Sequence, residues 1–220
     1  MRLMMQKLLS RVTTSLLAGE GLGVGLLLLG LLCFSCKEKS EADEYDNWRE
    51  RNEHYVDSIA TLARSGQGGW TMYKAYNLGD SLNMTGPNKY YIYVQKLEEG
   101  TGDYHPLYND SVRVHYTGNL LPTDTYPQGY NFDRSFRGSV LNEATDVPTL
   151  LAPAGVVVGF GTALMHMVKG DHWRVVIPSY LGYGTTGSTS GSIPAHSALI
   201  FELTLSRIYR YTIDTDTSWH

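Results

Sequence analysis

The stretch from residue 156 to residue 178 reads VVVGFGTALMHMVKGDHWRVVIP and combines two structural patterns. In its first half, apolar side chains recur at spacings of three and four residues, which places them on one face of a helix. Gly170 can then adopt the positive φ of a helix end. In the second half, Trp173, Val175 and Ile177 alternate with other residues, as in a strand buried on one face. The helical face consists of Phe160, Ala163, Leu164 and Met167.

Strand patterns lie on both sides of this stretch. Residues 90–94 (YYIYV) are rich in aromatic and β-branched side chains, and residues 111–117 and 132–135 have an extended pattern. Near the end of the chain, one face of a last strand carries Leu199, Phe201, Leu203 and Leu205. Strands therefore outnumber helices, and a short helix lies between two of them. We predict an α+β fold in which a curved antiparallel β-sheet wraps around a short α-helix.

Composition excludes several classes of protein. The chain has 220 residues and a formal net charge of -4, which argues against a general nucleic-acid binder. Its two cysteines both precede residue 37, so a disulfide framework is excluded. The seven histidines show no HExxH or paired ligand spacing, and no phosphate-binding loop is found between a strand and a helix. We predict no metal and no cofactor.

The first 35 residues have the pattern of a signal peptide. Basic residues near the start are followed by an uncharged, largely apolar run over residues 21–34. This run is shorter than the roughly 20 residues that a spanning helix needs. It ends at Ser35 and Cys36, and a small residue before a cysteine is similar to the lipobox of bacterial lipoproteins. The resemblance implies that Cys36 is lipid-modified and becomes the first residue of the mature chain.

Two other interpretations of this segment stay open. It is an uncleaved membrane anchor in one, and in the other Cys33 and Cys36 form a redox or metal pair, although no second ligand pair is present. The lipoprotein and anchor readings both place the rest of the chain outside the cytoplasm. We expect a lipid-anchored protein of the cell envelope, in the outer membrane of a Gram-negative bacterium.

The mature chain divides into four predicted parts. Residues 36–47 are polar and acidic and form a tether. Residues 48–87 form a helical N-terminal extension, in which the apolar face of a helix up to residue 63 carries Trp48, Tyr55, Ile59 and Leu62. Residues 70–87 have no clear pattern within it. The main domain covers residues 88–210, and residues 211–220 form a polar tail.

Five blocks of the main domain resemble the FKBP-type peptidyl-prolyl cis-trans isomerases. This family isomerises the peptide bond before proline, and its fold is an antiparallel sheet around a short helix, as predicted above. The resemblance implies proline-containing polypeptide substrates; the oligomeric state stays open. The blocks are VRVHYTG (112–118), NFDRSF (131–136), the stretch 156–178, YLGYG (180–184) and IPAHSALIFELTLSRI (193–208).

The resemblance also implies an apolar, aromatic-lined substrate site. Asp133, Tyr183 and Phe201 take the positions of residues with a catalytic role. The Tyr183 hydroxyl and the backbone N–H at Val157 are expected to bind substrate carbonyls, while the proline ring rests on Phe160. The substrate-binding positions are Tyr116, Phe132, Val156, Val157, Phe160 and Ile193.

Three positions depart from the family's pattern. Phe160 stands where the family usually has Trp, and residues 148–151 (PTLL) lack a common aromatic residue. Gly161 and Thr162 replace a Glu-rich start of the helix. The first two departures motivate one alternative to the enzyme, an FKBP-like lipoprotein that binds peptides with little or no turnover. A third interpretation is a purely structural envelope lipoprotein. The pocket residues that are kept together argue against it: Tyr116, Phe132, Asp133, Tyr183 and Phe201.

Overall fold

A computed structural model describes residues 44–79 and 86–211, and their strands form one antiparallel sheet. The predictions for residues 1–43, including Cys36 and most of the tether, lie outside the described residues, as does nearly all of the tail. The helices are α1 (Trp48–Ser65) and α2 (Val158–His166). The strands are β1 (Trp70–Lys74), β2 (Tyr91–Glu98), β3 (Ser111–Asn119), β4 (Asn131–Arg134), β5 (Thr149–Leu151), β6 (His172–Ile177) and β7 (Leu199–Tyr209).

The sheet has the strand order β1-β2-β6-β7-β3-β4, and every pair is antiparallel. One edge of β3 pairs with β7 along its length. The other edge pairs with β5 near the start of β3 and with β4 near its end. The predicted class, an antiparallel sheet with a short helix, is confirmed.

The neighbouring strands β6 and β7 supply much of the core. Their inward-facing residues alternate as the sequence predicts, and all are buried: Trp173, Val175, Ile177, Leu199, Phe201, Leu203 and Leu205. Helix α2 approaches β6 closely because Gly159 has no side chain; a Cβ there would lie 2.2 Å from Cγ2 of Ile177. Helix α2 is shorter than the helix that the sequence predicts. It ends at His166, and Gly170 (φ 93°) lies in the turn that follows.

The predicted helical extension over residues 48–87 is helical only in its first part. Helix α1 ends at Ser65, and its C-cap residue Gly66 has a φ of 66°. Residues 70–74 (WTMYK) form β1 and pair with β2, because their aromatic and β-branched side chains suit an extended edge strand. Our boundary at residue 87 therefore falls within one sheet. The extension covers an edge of β2 that would otherwise expose unpaired backbone groups.

Contacts with the extension explain one departure from the family's pattern. The Thr162 hydroxyl accepts a hydrogen bond from the backbone N–H of Tyr76 (3.3 Å) and donates one to the carbonyl of Val158 (2.8 Å). Thr162 is fully buried. A Cβ on Gly161 would lie 2.5 Å from the carbonyl oxygen of Pro153. A long acidic side chain has no room on this part of α2.

The described ranges contain no helix suited to crossing a membrane. Neither α1 nor α2 combines the length and the apolar character that a bilayer-crossing segment requires.

Candidate active site

Four aromatic rings meet where β3, β4, β7 and α2 come together. Phe201 of β7 lies at their centre. Its ring centroid is 4.9 Å from that of Phe160, 5.5 Å from that of Phe132 and 6.4 Å from that of Tyr116. Tyr116 and Phe160 are 5.7 Å apart. All four contacts are edge-to-face, an arrangement that aromatic quadrupoles favour.

Gly118 of β3 makes this arrangement possible. It pairs with Asp133 of β4 on one side and with Phe201 of β7 on the other. A Cβ on Gly118 would lie 2.6 Å from the ring of Phe201 and 2.7 Å from the ring of Phe132. Sequence reasoning missed Gly118 as a site residue, although a glycine inside a strand often marks such a close approach.

Exposure rises from the base of the ring cluster to its edge. Phe160, Phe201 and Ile193 are nearly buried, at 4%, 5% and 3% exposed. Tyr183 is 39% exposed, and Asp133 is also exposed. Phe132 and Tyr116 are half-buried between these groups. The arrangement is an apolar base with a polar, solvent-facing rim.

The remaining predicted site residues lie in two connections of the chain. Tyr183 follows a short 3₁₀ turn at Ser179–Leu181, and Ile193 precedes β7 in the same connection. Val156 and Val157 are half-buried where the chain enters α2, and Val157 is the N-cap residue of that helix. The structure thus brings the rings of Tyr116, Phe132, Phe160 and Phe201 together and joins Asp133 to Tyr116. The functional roles assigned to all the site residues stay predictions.

Asp133 and Tyr116 are joined by a hydrogen bond. The Tyr116 hydroxyl donates to Oδ2 of Asp133 over 2.9 Å. Burial raises the pKa of Tyr116 to about 12, with further contributions from the hydrogen bond to Asp133, the Asp133 charge and nearby Tyr183. Tyr116 therefore stays a neutral hydrogen-bond donor at any physiological pH.

We expect Tyr116 to ionise late in an alkaline titration. Ultraviolet difference spectra of wild type minus Tyr116→Phe isolate this residue from Tyr93, whose pKa burial also raises. Because the folded pKa of Tyr116 is raised, its contribution to stability is complete below pH 10 and is lost as the pH rises to about 12. Asp133→Asn removes a negative charge, so the Tyr116 transition should move to lower pH. An unchanged transition in Asp133→Asn would contradict the role of the Asp133 charge.

Within residues 44–79 and 86–211, no group of three or more His, Cys, Asp or Glu side chains is arranged to hold a metal ion.

The fold and site define a class of domain: an antiparallel sheet around one helix, with an aromatic-lined apolar site between them. The sequence pattern of FKBP-type peptidyl-prolyl cis-trans isomerases matches residues 102–206. An FK506-binding protein from Neisseria meningitidis serogroup A is 31% identical over 118 residues, which cover 54% of this chain and 96% of that protein. The chain belongs to the FKBP-type peptidyl-prolyl cis-trans isomerase family.

Two further comparisons agree with this assignment. The macrophage infectivity potentiator of Trypanosoma cruzi is 38% identical over 115 residues, which cover 52% of this chain and 51% of that protein. The match thus spans about half the length of that relative. The crystal structure of a peptidyl-prolyl cis-trans isomerase from Pseudomonas syringae pv. tomato superposes with a TM-score of 0.51 at 25% identity, covering 73% of this chain and 96% of the other.

Proposed function

We propose that this protein catalyses cis/trans isomerisation of X-Pro peptide bonds in extracytoplasmic polypeptides. The observation that carries the proposal is the cluster of four rings beside the Asp133–Tyr116 hydrogen bond. Its buried base suits an apolar pyrrolidine ring, and its polar rim suits the flanking peptide groups. The reaction needs no nucleophile, metal or cofactor.

The chemical barrier arises from amide resonance. Rotation about the prolyl bond breaks that resonance and costs about 18–20 kcal/mol. The planar amide has more charge separation than the twisted one, so water stabilises the planar ground state more. An apolar site that excludes water therefore favours the twisted state in relative terms. Lowering the barrier by about 5–7 kcal/mol would accelerate isomerisation roughly 10⁴–10⁵-fold.

Orientation supplies the remaining part of the proposed mechanism. The proline ring packs on Phe160, while the backbone N–H of Val157 and the hydroxyl of Tyr183 hold carbonyl groups on either side. Asp133 fixes the orientation of Tyr116 through their hydrogen bond. The peptide groups on both sides of the proline are then held while the prolyl amide lies in the apolar site. This favours the twisted geometry of that amide.

A protease-coupled isomerisation assay with short X-Pro peptides tests this function. The full chain in a mild detergent should accelerate isomerisation well above the uncatalysed rate. Asp133→Leu removes the acceptor for Tyr116, and we expect kcat/KM to fall by about tenfold or more. Asp133→Asn keeps an oxygen acceptor and serves as the matched control with a smaller loss. Isomerisation at the uncatalysed rate with folded wild-type protein would refute the proposal.

A second candidate function is peptide binding with little or no turnover. It is favoured by Phe160, which offers a smaller ring than Trp and no indole N–H at the base of the site. It is also favoured by Leu150, which is 52% exposed in the stretch where many family members have an aromatic residue. Binding of a proline peptide without acceleration in the assay above would support this function.

We also propose lipid anchoring through Cys36, which would place the domain on the cell envelope. The support is the apolar run that ends in Ser35 and Cys36 and is followed at once by polar residues. Wild-type protein expressed in a bacterial host should incorporate labelled palmitate, whereas Cys36→Ala should not. Equal labelling of the two proteins would refute anchoring at Cys36.

A further inference from the structure

We propose that Asn52 of α1 is a positioning residue that acts on Tyr183 through the segment 194–198. The inference rests on the proposed isomerase function. It concerns a residue of the N-terminal extension, outside the blocks that carry the family resemblance. The pathway consists of hydrogen bonds from α1 to residues 194–198, and from that segment to Gly184 beside Tyr183.

Asn52 links α1 to the residue just before β7. Its Oδ1 accepts a hydrogen bond from the backbone N–H of Ala198 over 2.8 Å. Its Nδ2 donates to the carbonyl of Trp48, one helical turn earlier, over 2.6 Å. Asn52 is 2% exposed. A buried amide in the apolar face of a helix is costly unless both of its ends are bonded, and here both ends are.

Trp48 makes a second link to the same segment. Its Nε1–H donates to Oγ of Ser197 over 2.9 Å. The Ser197 hydroxyl in turn donates to the carbonyl of Pro194 over 2.7 Å. Trp48 and Ser197 are both buried. Two adjacent residues of the segment are therefore held by side chains one turn apart on α1.

The segment 194–198 is in turn hydrogen-bonded to the loop that carries Tyr183. His196 has a φ of 63°, a left-handed conformation that is rare for a residue with a side chain. In this conformation its N–H donates to the carbonyl of Gly184 over 2.9 Å. Gly184 directly follows Tyr183. A shift of residues 196–198 thus reaches the backbone that carries the Tyr183 hydroxyl.

Helix α1 packs into the core through Trp48, Val56, Ile59 and Ala60, whereas its side next to this rim is open. A groove of about 420 Å³ lies between them, bordered by Asn52 and Glu53 on the helix and by Tyr180, Gly184 and Thr185 on the rim. The hydrogen bond between Asn52 and Ala198, which both line the groove, therefore adds to core packing in setting the positions of its two sides. Asn52 supplies the bond to the start of β7, the strand that also carries Phe201.

The experiment compares kcat/KM of the full chain in detergent for wild type, Asn52→Leu and a matched control. Leu has a similar size but no hydrogen bonds, so we expect about a tenfold loss, because small displacements of orienting groups cost large factors in rate. Ile59→Ala on the same helix is buried but makes none of these bonds. We expect it to lower the melting temperature by a similar amount and to leave kcat/KM within about twofold.

A double-mutant cycle with Tyr183→Phe separates positioning from general destabilisation. If Asn52 acts through Tyr183, Asn52→Leu should lower kcat/KM by only about threefold or less in the Tyr183→Phe background. The proposal would be overturned if the losses of kcat/KM in the two single variants simply multiply in the double variant. It would also be overturned if Asn52→Leu and Ile59→Ala lose equal amounts of kcat/KM. If Asn52→Leu does not fold, Ser197→Ala removes the Trp48 bond to the same segment and should show the same dependence on Tyr183.

Failure of the proposed function gives a different result from failure of this inference. Wild-type protein without turnover contradicts the isomerase function itself. The same variants are then compared by the Kd of a proline peptide, measured by NMR titration. Weaker binding in Asn52→Leu than in Ile59→Ala would support the positioning role, and equal binding would overturn it.

Discussion

Phe201→Ala should remove nearly all measurable isomerase activity and lower the free energy of unfolding by about 3–5 kcal/mol. Phe201 is the centre of the ring cluster, in contact with Phe132, Phe160 and Tyr116. Without its ring, the wall of the site opens to water and the other three rings lose their common neighbour. Desolvation and orientation of the prolyl amide then both fail. The measurements are kcat/KM in the peptide assay and a denaturant titration of the same preparation.

The control for Phe201→Ala is Leu205→Ala. Leu205 is buried on the same face of β7 and is two alternations away from Phe201. We expect a comparable loss of stability, of about 2–5 kcal/mol, but little loss of kcat/KM at a temperature where both variants are folded. Equal losses of activity in the two variants would mean that activity follows stability and not the ring cluster.

Gly118→Val should reduce kcat/KM by about 100-fold or more. A Cβ at this position would lie 2.6 Å from the ring of Phe201 and 2.7 Å from the ring of Phe132. Both rings are held by their edge-to-face contact with each other, so they cannot move apart without distorting the site. Strand β3 can remain paired, because valine suits an extended backbone. The variant is therefore expected to retain its sheet and to lose its function.

Gly118→Ala and Gly155→Ala complete this series. Gly118→Ala adds only the clashing Cβ and should show an intermediate loss of kcat/KM. Gly155 has no atom within 4 Å of a Cβ, so Gly155→Ala should behave as wild type. Circular dichroism monitors the fold of each variant. A folded Gly118→Val protein with wild-type activity would contradict the claim that Phe132 and Phe201 must keep this spacing.

Local patterns were enough to predict the centre of the fold. The residues from Phe160 to Ile177 carry a helical period followed by strand alternation, and burial of one face is what holds both elements in place. The resemblance then indicated which aromatic side chains face the site. Their mutual contacts follow once β3, β4 and β7 pair in register, and that register is largely set by which faces must be buried.

Contacts between distant parts of the chain were not accessible in this way. Asn52 looks like a polar interruption of the apolar face of α1, and only the position of Ala198 shows that it is bonded at both ends. Residues 70–74 are too short for an unambiguous strand pattern, and their pairing with β2 depends on tertiary structure. Gly118 is one glycine among 23, and its role depends on two rings from other strands.

The most direct test of the central claim is two-dimensional NMR exchange spectroscopy of an X-Pro peptide. Uncatalysed exchange between the cis and trans forms takes tens to hundreds of seconds, too slow for cross-peaks between their resonances. With a catalytic amount of the full chain in detergent, we predict cross-peaks within a mixing time of about a second, and none with Phe201→Ala. Peptide resonances that show binding to the folded wild-type protein but no exchange cross-peaks would contradict the account.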